Sequence, residues 1–328
     1  MIITKTPFRV SFCGGGSDLP EFYLKYGGCV LSTSINKYMY ISIHPYFNSH
    51  ETVLKYSKTE IVDDIGKIEH TIFNCVLNEM KVDGVEITST ADIPAGAGLG
   101  SSSAFTVGLL HTLSCYKGKY HSKANLAEKA CDIEINKLGN PIGKQDQYAA
   151  ALGGLNYISF NRDGSVSYEP VMAGAETIKN LQRNLMMFYL GSTRSANDIL
   201  SEQKKNMGND SKARSLLKMC GLAHEMKRSL ESNDLSTFGA ILHESWLLKQ
   251  SLASGITSNE INEIYEKALK AGATGGKLLG AGGGGFLMFY CEPEKQERLR
   301  IALGLKPLSF SFDREGTTVI YIGDKYWD

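Results

Sequence analysis

Apolar runs of strand length recur along the chain at residues 8–12, 38–43, 85–90, 155–160, 185–190, 286–290 and 318–322. Between them the period lengthens to that of a helix. Leu216, Met219, Cys220, Ala223, Met226 and Leu230 fall on one helical face, and residues 105–113 and 125–138 also read as helix. Strands and helices do not alternate regularly, which favours an α+β arrangement of antiparallel sheets under helices over a doubly wound parallel sheet. With no repeat and no linker-like tract, motif spacing suggests two lobes, 1–180 and 181–328, with a cleft between them.

Glycine interrupts this pattern in three places, and 34 glycines in 328 residues exceed the roughly 7% average. The central loop, Pro94-Ala-Gly-Ala-Gly-Leu-Gly-Ser-Ser-Ser-Ala104, follows a strand and opens a helix. Gly96, Gly98 and Gly100 allow close backbone approach, and the helix start attracts an anion. Ser101, Ser102 and Ser103 can cap the helix, bind phosphate oxygens or ligate magnesium. No Gly-Lys-Ser/Thr follows, so this is not a Walker loop, and G-x-G-x-G is not a dinucleotide fingerprint.

The first loop runs from Arg9 through Gly14, Gly15 and Gly16 to Ser17 and Asp18. It reads either as a tight turn or as a ligand-packing loop in which Ser17 and Asp18 bond sugar hydroxyls. The third spans residues 272–285 and ends in four glycines before a strand. A strand where a Rossmann site needs a helix excludes dinucleotide binding. Its four consecutive glycines, Gly282 and Gly283 among them, could instead pack against the phosphates or the central loop, with Lys277 either adding positive charge or standing solvated.

Glu134 shares the apolar face of helix 125–138 with Ala127 and Ala130, so it should point inward, as a salt-bridge partner or a magnesium ligand. Twelve residues on, Asp146 sits in an expected loop after Gly139 and Pro141, as a helix cap or a catalytic base.

Lys plus Arg and Asp plus Glu both number 35, which removes any global field for nucleic acid or an acidic membrane. Seven scattered cysteines without a C-x-x-C pair argue against a disulfide framework or zinc site. No run approaches the ~20 apolar residues of a membrane span. A cytoplasmic enzyme is expected, acting on a small molecule, without nucleic acid or membrane partners; a homodimer is compatible with this.

Together these segments resemble the GHMP kinase family. Its phosphate motif is met by Pro94, Gly98, Leu99, Ser101 and Ser102, with Ser103 where alanine is more usual, and its C-terminal motif by residues 277–285. The resemblance implies a ribosomal-protein-like N-terminal lobe, a ferredoxin-like C-terminal lobe, and ATP between them. It implies Ser102 and Glu134 as ligands of Mg2+, Asp146 as base and Arg9 as its orienting residue. The spacing from Pro141 to Asp146 is one residue longer than in mevalonate kinases and closer to galactokinases. Residues 8–23 look most like the heptose 7-phosphate kinases, implying phosphorylation of the anomeric hydroxyl in nucleotide-activated (GDP) heptose synthesis for surface polysaccharide. Fucose or galactose phosphorylation, action on an isoprenoid acid, and a non-catalytic sugar sensor are the alternatives. A phosphorylated sugar needs a second anion site, for which Arg194, in the segment after strand 185–190, is the candidate.

Overall fold

A computed structural model describes residues 1–191, 196–206 and 209–323. The first lobe is organised by two long strands, β1 (Ile2–Cys13) and β2 (Gly28–Pro45), joined through the short helix α1 (Pro20–Tyr26) and paired antiparallel along most of their length. The outer half of β2 extends the sheet through β3 (Thr52–Lys55), β4 (Thr59–Val62) and, after helix α2 (Thr71–Met80), β5 (Val85–Ala91). Helix α3 (Ser101–Tyr116) lies across this sheet, with Thr4 and Thr112 hydroxyls 2.6 Å apart. Helix α4 (Lys123–Cys131) widens at once into a π-helical turn, residues Asp132–Lys137. Helix α5 (Gln145–Leu152) then returns to the inner half of β2, which pairs with β6 (Leu155–Phe160), itself paired with β7 (Val166–Pro170).

Helix α6 (Ala175–Asn184) leads into β8 (Leu185–Tyr189). The helices α7 (Ala196–Asn206), α8 (Asp210–Glu231), α9 (Phe238–Gln250) and α10 (Asn259–Ala271) follow. Strands β9 (Gly275–Leu278) and β10 (Phe286–Tyr290), helix α11 (Pro293–Leu303) and β11 (Pro307–Leu308) complete an antiparallel sheet in the order β11-β8-β10-β9. Phe188 and Phe289 are fully buried here with Trp246, and each such side chain is worth about 1.5–3 kcal/mol of burial. Leu216, Met219, Ala223, Met226 and Leu230 of α8 are buried as their spacing predicts, with Cys220 half-buried at the edge of the stripe.

Two expectations change. β12 (Phe312–Asp313) and β13 (Thr318–Ile322) pair with β2 and β1, so the chain's end returns to the first sheet and a single cut at residue 180 fails there. The third glycine segment is not all loop, because residues 275–278 form β9 against β10. The α+β class stands: two mainly antiparallel sheets with helices packed on them. No helix among the described residues is long and apolar enough to cross a membrane, and the seven cysteines are free thiols.

Candidate active site

All three glycine segments meet at one cavity of about 290 Å3 between the sheets. The second and third are in backbone contact. A Cβ on Gly98, at φ +83°, would stand 2.4 Å from the Leu279 carbonyl oxygen, and one on Gly280 would stand 2.5 Å from the Gly98 Cα. Only glycine permits both that approach and that left-handed backbone. Gly96, Gly98, Gly100 and Ser101 to Ser103 line the cavity, as do Gly282 and Lys277. Helix α3 begins after Gly100 with no side-chain cap, so its first N–H groups and the positive end of its dipole are left for a ligand.

Arg9 projects from β1 into this space and is almost wholly buried. Its Nε and Nη2 donate to Asp146 Oδ1 and Oδ2, each at 2.8 Å, while Nη1 donates to the Gly98 carbonyl at 2.7 Å. This fork fixes the carboxylate's plane and ties the base candidate to the central loop. Asp146 stands in the first turn of α5, not in the expected loop, because α5 starts at Gln145. Its helix orientation is therefore set by packing as well as by Arg9.

The inward aim of Glu134 holds: it is fully buried in the π-helical turn. Ser102 Oγ donates to its Oε1 and Gln147 Nε2 to its Oε2, both at 2.8 Å. Burial pushes this carboxyl above the usual range, against hydrogen bonds from Ser102, Gln147 and Ser103 that pull it down. Among the described residues its partners are neutral donors, not cations. A buried carboxylate without a cation, beside a hydroxyl and an uncapped helix start, fits a hard cation that fills its remaining positions with phosphate oxygens and water. No cluster of three or more His, Cys, Asp or Glu offers a full protein cage among the described residues.

On the other side of Asp146 lies Asp18, also buried. It accepts from the Gly16 N–H at 2.9 Å, from the Gln145 N–H at 3.2 Å and from Gln145 Nε2 at 3.1 Å. Burial, then the neighbouring Asp146 charge, push its carboxyl upward. Gly15 and Gly16 line the cavity with it. The buried Ser11 Oγ, Gln145 Oε1 and Gln203 Nε2, on residues that line the same cavity, have no hydrogen-bond partner among the described residues. Such atoms are costly unless something polar occupies the space beside them.

Several expected contacts do not reach the cavity. Ser17 is fully buried, its one hydroxyl proton shared between the Gly14 and Cys29 carbonyls and its oxygen accepting from the Cys29 N–H, so it is a loop tie and not a sugar contact. Gly14 packs on β2, where a Cβ would meet the Cys29 carbonyl oxygen at 2.1 Å. Gly283 spends its N–H on the Ile256 carbonyl, and Pro94 and Leu99 are absent from the lining; the Leu99 carbonyl accepts the Arg9 N–H. Arg194 lies outside the described residues.

Sequence reasoning missed Lys249, Gln203, Gln145 and Ser11. Lys249 had a readable signal: Phe238, Ile241, Leu242, Ser245 and Trp246 put the buried stripe of α9 in register with position 249. Burial and the Arg9 charge lower its ammonium pKa to about 8, and burial and Lys249 push Lys277 far down.

The family model for the GHMP kinases N terminal domain matches residues 66–154, and that for the GHMP kinases C terminal matches residues 226–305. The chain is a GHMP kinase. Over 96% of its length and 97% of the relative's, this GHMP kinase is 30% identical to the D-glycero-alpha-D-manno-heptose 7-phosphate kinase of Campylobacter jejuni. It is 25% identical to the galactokinase of Pyrococcus furiosus over 92% of both chains. A crystal structure of a D-glycero-D-manno-heptose 1-phosphate kinase from Bacteroides thetaiotaomicron superposes with a TM-score of 0.80 at 26% identity, covering 99% of this chain and 100% of the other. The fold that the glycine loops implied is therefore the fold this kinase has.

Proposed function

We propose that this GHMP kinase transfers the γ-phosphoryl group of ATP to the anomeric hydroxyl of D-glycero-D-manno-heptose 7-phosphate, giving heptose 1,7-bisphosphate. The observation that carries the reaction class is the Arg9–Asp146 fork placed between the uncapped start of α3 and the Asp18 loop. The likeness to the Campylobacter jejuni enzyme supports the acceptor, with identity to the galactokinase lower. The Bacteroides thetaiotaomicron protein, described as acting on heptose 1-phosphate, supports a second regiochemistry in which the C7 hydroxyl is the acceptor; the bisphosphate product is the same.

In the chemistry this geometry supports, nucleotide phosphates face Ser101 to Ser103 and the α3 dipole. Mg2+, when bound, would be held by Ser102 and Glu134, and neutralises charge on the phosphate oxygens. Arg9 orients the Asp146 carboxylate toward the acceptor hydroxyl. As that oxygen bonds to the γ-phosphorus, its proton passes to Asp146, the bond to the bridging oxygen breaks and ADP leaves. The backbone contact between Gly98 and Gly280 keeps the central loop from moving away from Asp146 during transfer. A soluble cytoplasmic enzyme feeding nucleotide-activated heptose to surface polysaccharide is the setting that this reaction fits.

The test is ADP release with Mg2+ and, separately, heptose 7-phosphate, heptose 1-phosphate, fucose, galactose and mevalonate. Selective use of heptose 7-phosphate with new phosphorus at O1 is expected. Turnover of mevalonate alone, or of an unphosphorylated sugar alone, refutes the acceptor assignment.

A further inference from the structure

If the acceptor carries a phosphate of its own, as the proposed function holds, the protein needs a second anion site in the same cavity. Lys249 and Lys277 both line it and are both almost wholly buried. Among the described residues, each ammonium bonds only to the main chain: Lys249 Nζ donates to the Gly280 carbonyl and Lys277 Nζ to the Phe12 carbonyl at 3.1 Å. The nearby carboxylates are committed elsewhere. Asp146 is held in the fork of Arg9, and Asp18 accepts three N–H bonds. Buried cations without a counter-charge are expensive for a protein to keep, and both lysines feel this. Two in one cavity make a place for an anion, which no described residue supplies by direct contact.

The nucleotide already has the α3 end of the cavity. Lys249 is held at the Gly280 carbonyl, and its charged neighbours are Arg9 on β1, Asp18 of the first loop, Asp146 on α5 and Lys277 on β9, the groups around the proposed base. Gln203 reaches the same cavity from α7. It is only 2% exposed, its Nε2 has no partner among the described residues, and a Cβ on Gly16 would lie 2.7 Å from that nitrogen. Asn206 Nδ2 donates to the Leu252 carbonyl at 2.9 Å, tying α7 to the end of α9 one turn beyond Gln203 and Lys249. The proposed base thus has beside it the Lys249 ammonium, the Lys277 amine and an amide donor that no described residue uses.

We propose that Lys249, backed by Lys277 and joined by the Gln203 amide, binds the phosphate the acceptor already carries, and so makes this kinase select a sugar phosphate over a free sugar. Lys249 is a specificity residue in this proposal and takes no part in proton transfer.

The experiment compares the wild type with Lys249→Met, which keeps length and apolar stem, and with Gln203→Ala. KM is measured for heptose phosphate, for free heptose at high concentration and for ATP. Loss of a charge-assisted contact should raise KM for heptose phosphate about tenfold to a hundredfold in the Lys249 variant, leaving KM for ATP and the efficiency with free heptose within about twofold. Gln203→Ala should shift the same KM in the same direction by a smaller factor. Equal losses with both sugars, or an unchanged KM for heptose phosphate, overturn the site. Should Lys249→Met fail to fold, inhibition of the wild type by inorganic phosphate decides: competition against heptose phosphate and not against ATP is expected, and competition against ATP alone overturns it. A wild type that ignores heptose phosphate but uses a free sugar would instead remove the proposed function, a result visible before any variant is made.

Discussion

Replacing Glu134 with glutamine should make the ligand-free protein more stable and the enzyme nearly inactive, two effects of opposite sign from one buried carboxyl. The wild-type side chain has no exposure and neutral donors, Ser102 Oγ on Oε1 and Gln147 Nε2 on Oε2 with Ser103 beside them. Burial raises its pKa above the ordinary carboxylate value. The folded state therefore binds this proton more tightly than the unfolded chain does. Its contribution to stability is fully present below the unfolded pKa and is lost as pH rises through the folded one. Wherever this carboxyl is ionised, the fold carries a strained charge that an amide removes. The new amide can keep both bonds: Ser102 still donates to its oxygen, and Gln147, whose Oε1 lacks a partner among the described residues, can flip to accept from the new NH2. Removing the charge while exchanging charge-assisted for neutral bonds leaves a net gain of about 1–2 kcal/mol, or about 2–4 °C in Tm. With Mg2+ and a non-hydrolysable ATP analogue the order should reverse, since ligand at 100 times Kd adds about 2.7 kcal/mol to the wild type and little to the variant. Differential scanning fluorimetry from pH 5 to 8 reads both, and the ligand-free gap should close toward pH 5. A ligand-free variant that melts below the wild type at pH 7 refutes the reasoning, as does an undiminished Mg2+-nucleotide shift.

Asp146→Asn should lower kcat by about 10²–10⁴ with KM for ATP nearly unchanged, because the α3 end of the cavity stays intact; steady-state kinetics decide. Gly98→Ala forces a side chain into left-handed backbone and against the Leu279 carbonyl, so a loss of at least about 2 kcal/mol and of nucleotide affinity is expected, read by melting and by nucleotide titration. The Lys249 ammonium, with its pKa near 8, faces Arg9, Asp18, Asp146 and Lys277; KM for heptose phosphate should rise above about pH 8 as this cation is lost, while free heptose shows no such rise. Ser17→Ala should cost about 1–3 kcal/mol of stability through the three bonds it makes to Gly14 and Cys29, measured by urea unfolding, with KM for the sugar little changed in the protein that remains folded.

The apolar runs gave the long central strands and the α8 stripe because burial on one face is a local pattern. They did not reveal β3, β4 or β12, which are two to four residues long and held by their neighbours in the sheet. Glu134 was legible because a carboxylate on an apolar helical face has few explanations, whereas its π-helical turn was not, since i→i+5 bonding leaves no residue signature. Asp146 was found as a residue but placed in a loop: Gly139 and Pro141 stop one helix and say nothing of how soon the next begins. Ser17 and Gly14 show the converse error. Glycines and hydroxyls that serve a backbone contact look the same in sequence as those that serve a ligand, and only the position of β2 behind the loop separates them.

The placement of Lys249 also explains why a single cut between lobes misdescribes the site. Arg9, Asp18 and Asp146 come from the first sheet's side, while Lys249, Gln203 and Lys277 come from the elements around the second. The two groups are fixed to each other by specific bonds: Lys277 to the Phe12 carbonyl of β1, and the central loop to Leu279 and Gly280. On the proposed reading, nucleotide and base are thus set by one sheet, and the anionic end of the acceptor by the other. Changes in α7 or α9 can therefore alter which sugar is accepted without moving the Arg9–Asp146 fork, and this separation is what a KM effect confined to the acceptor would measure.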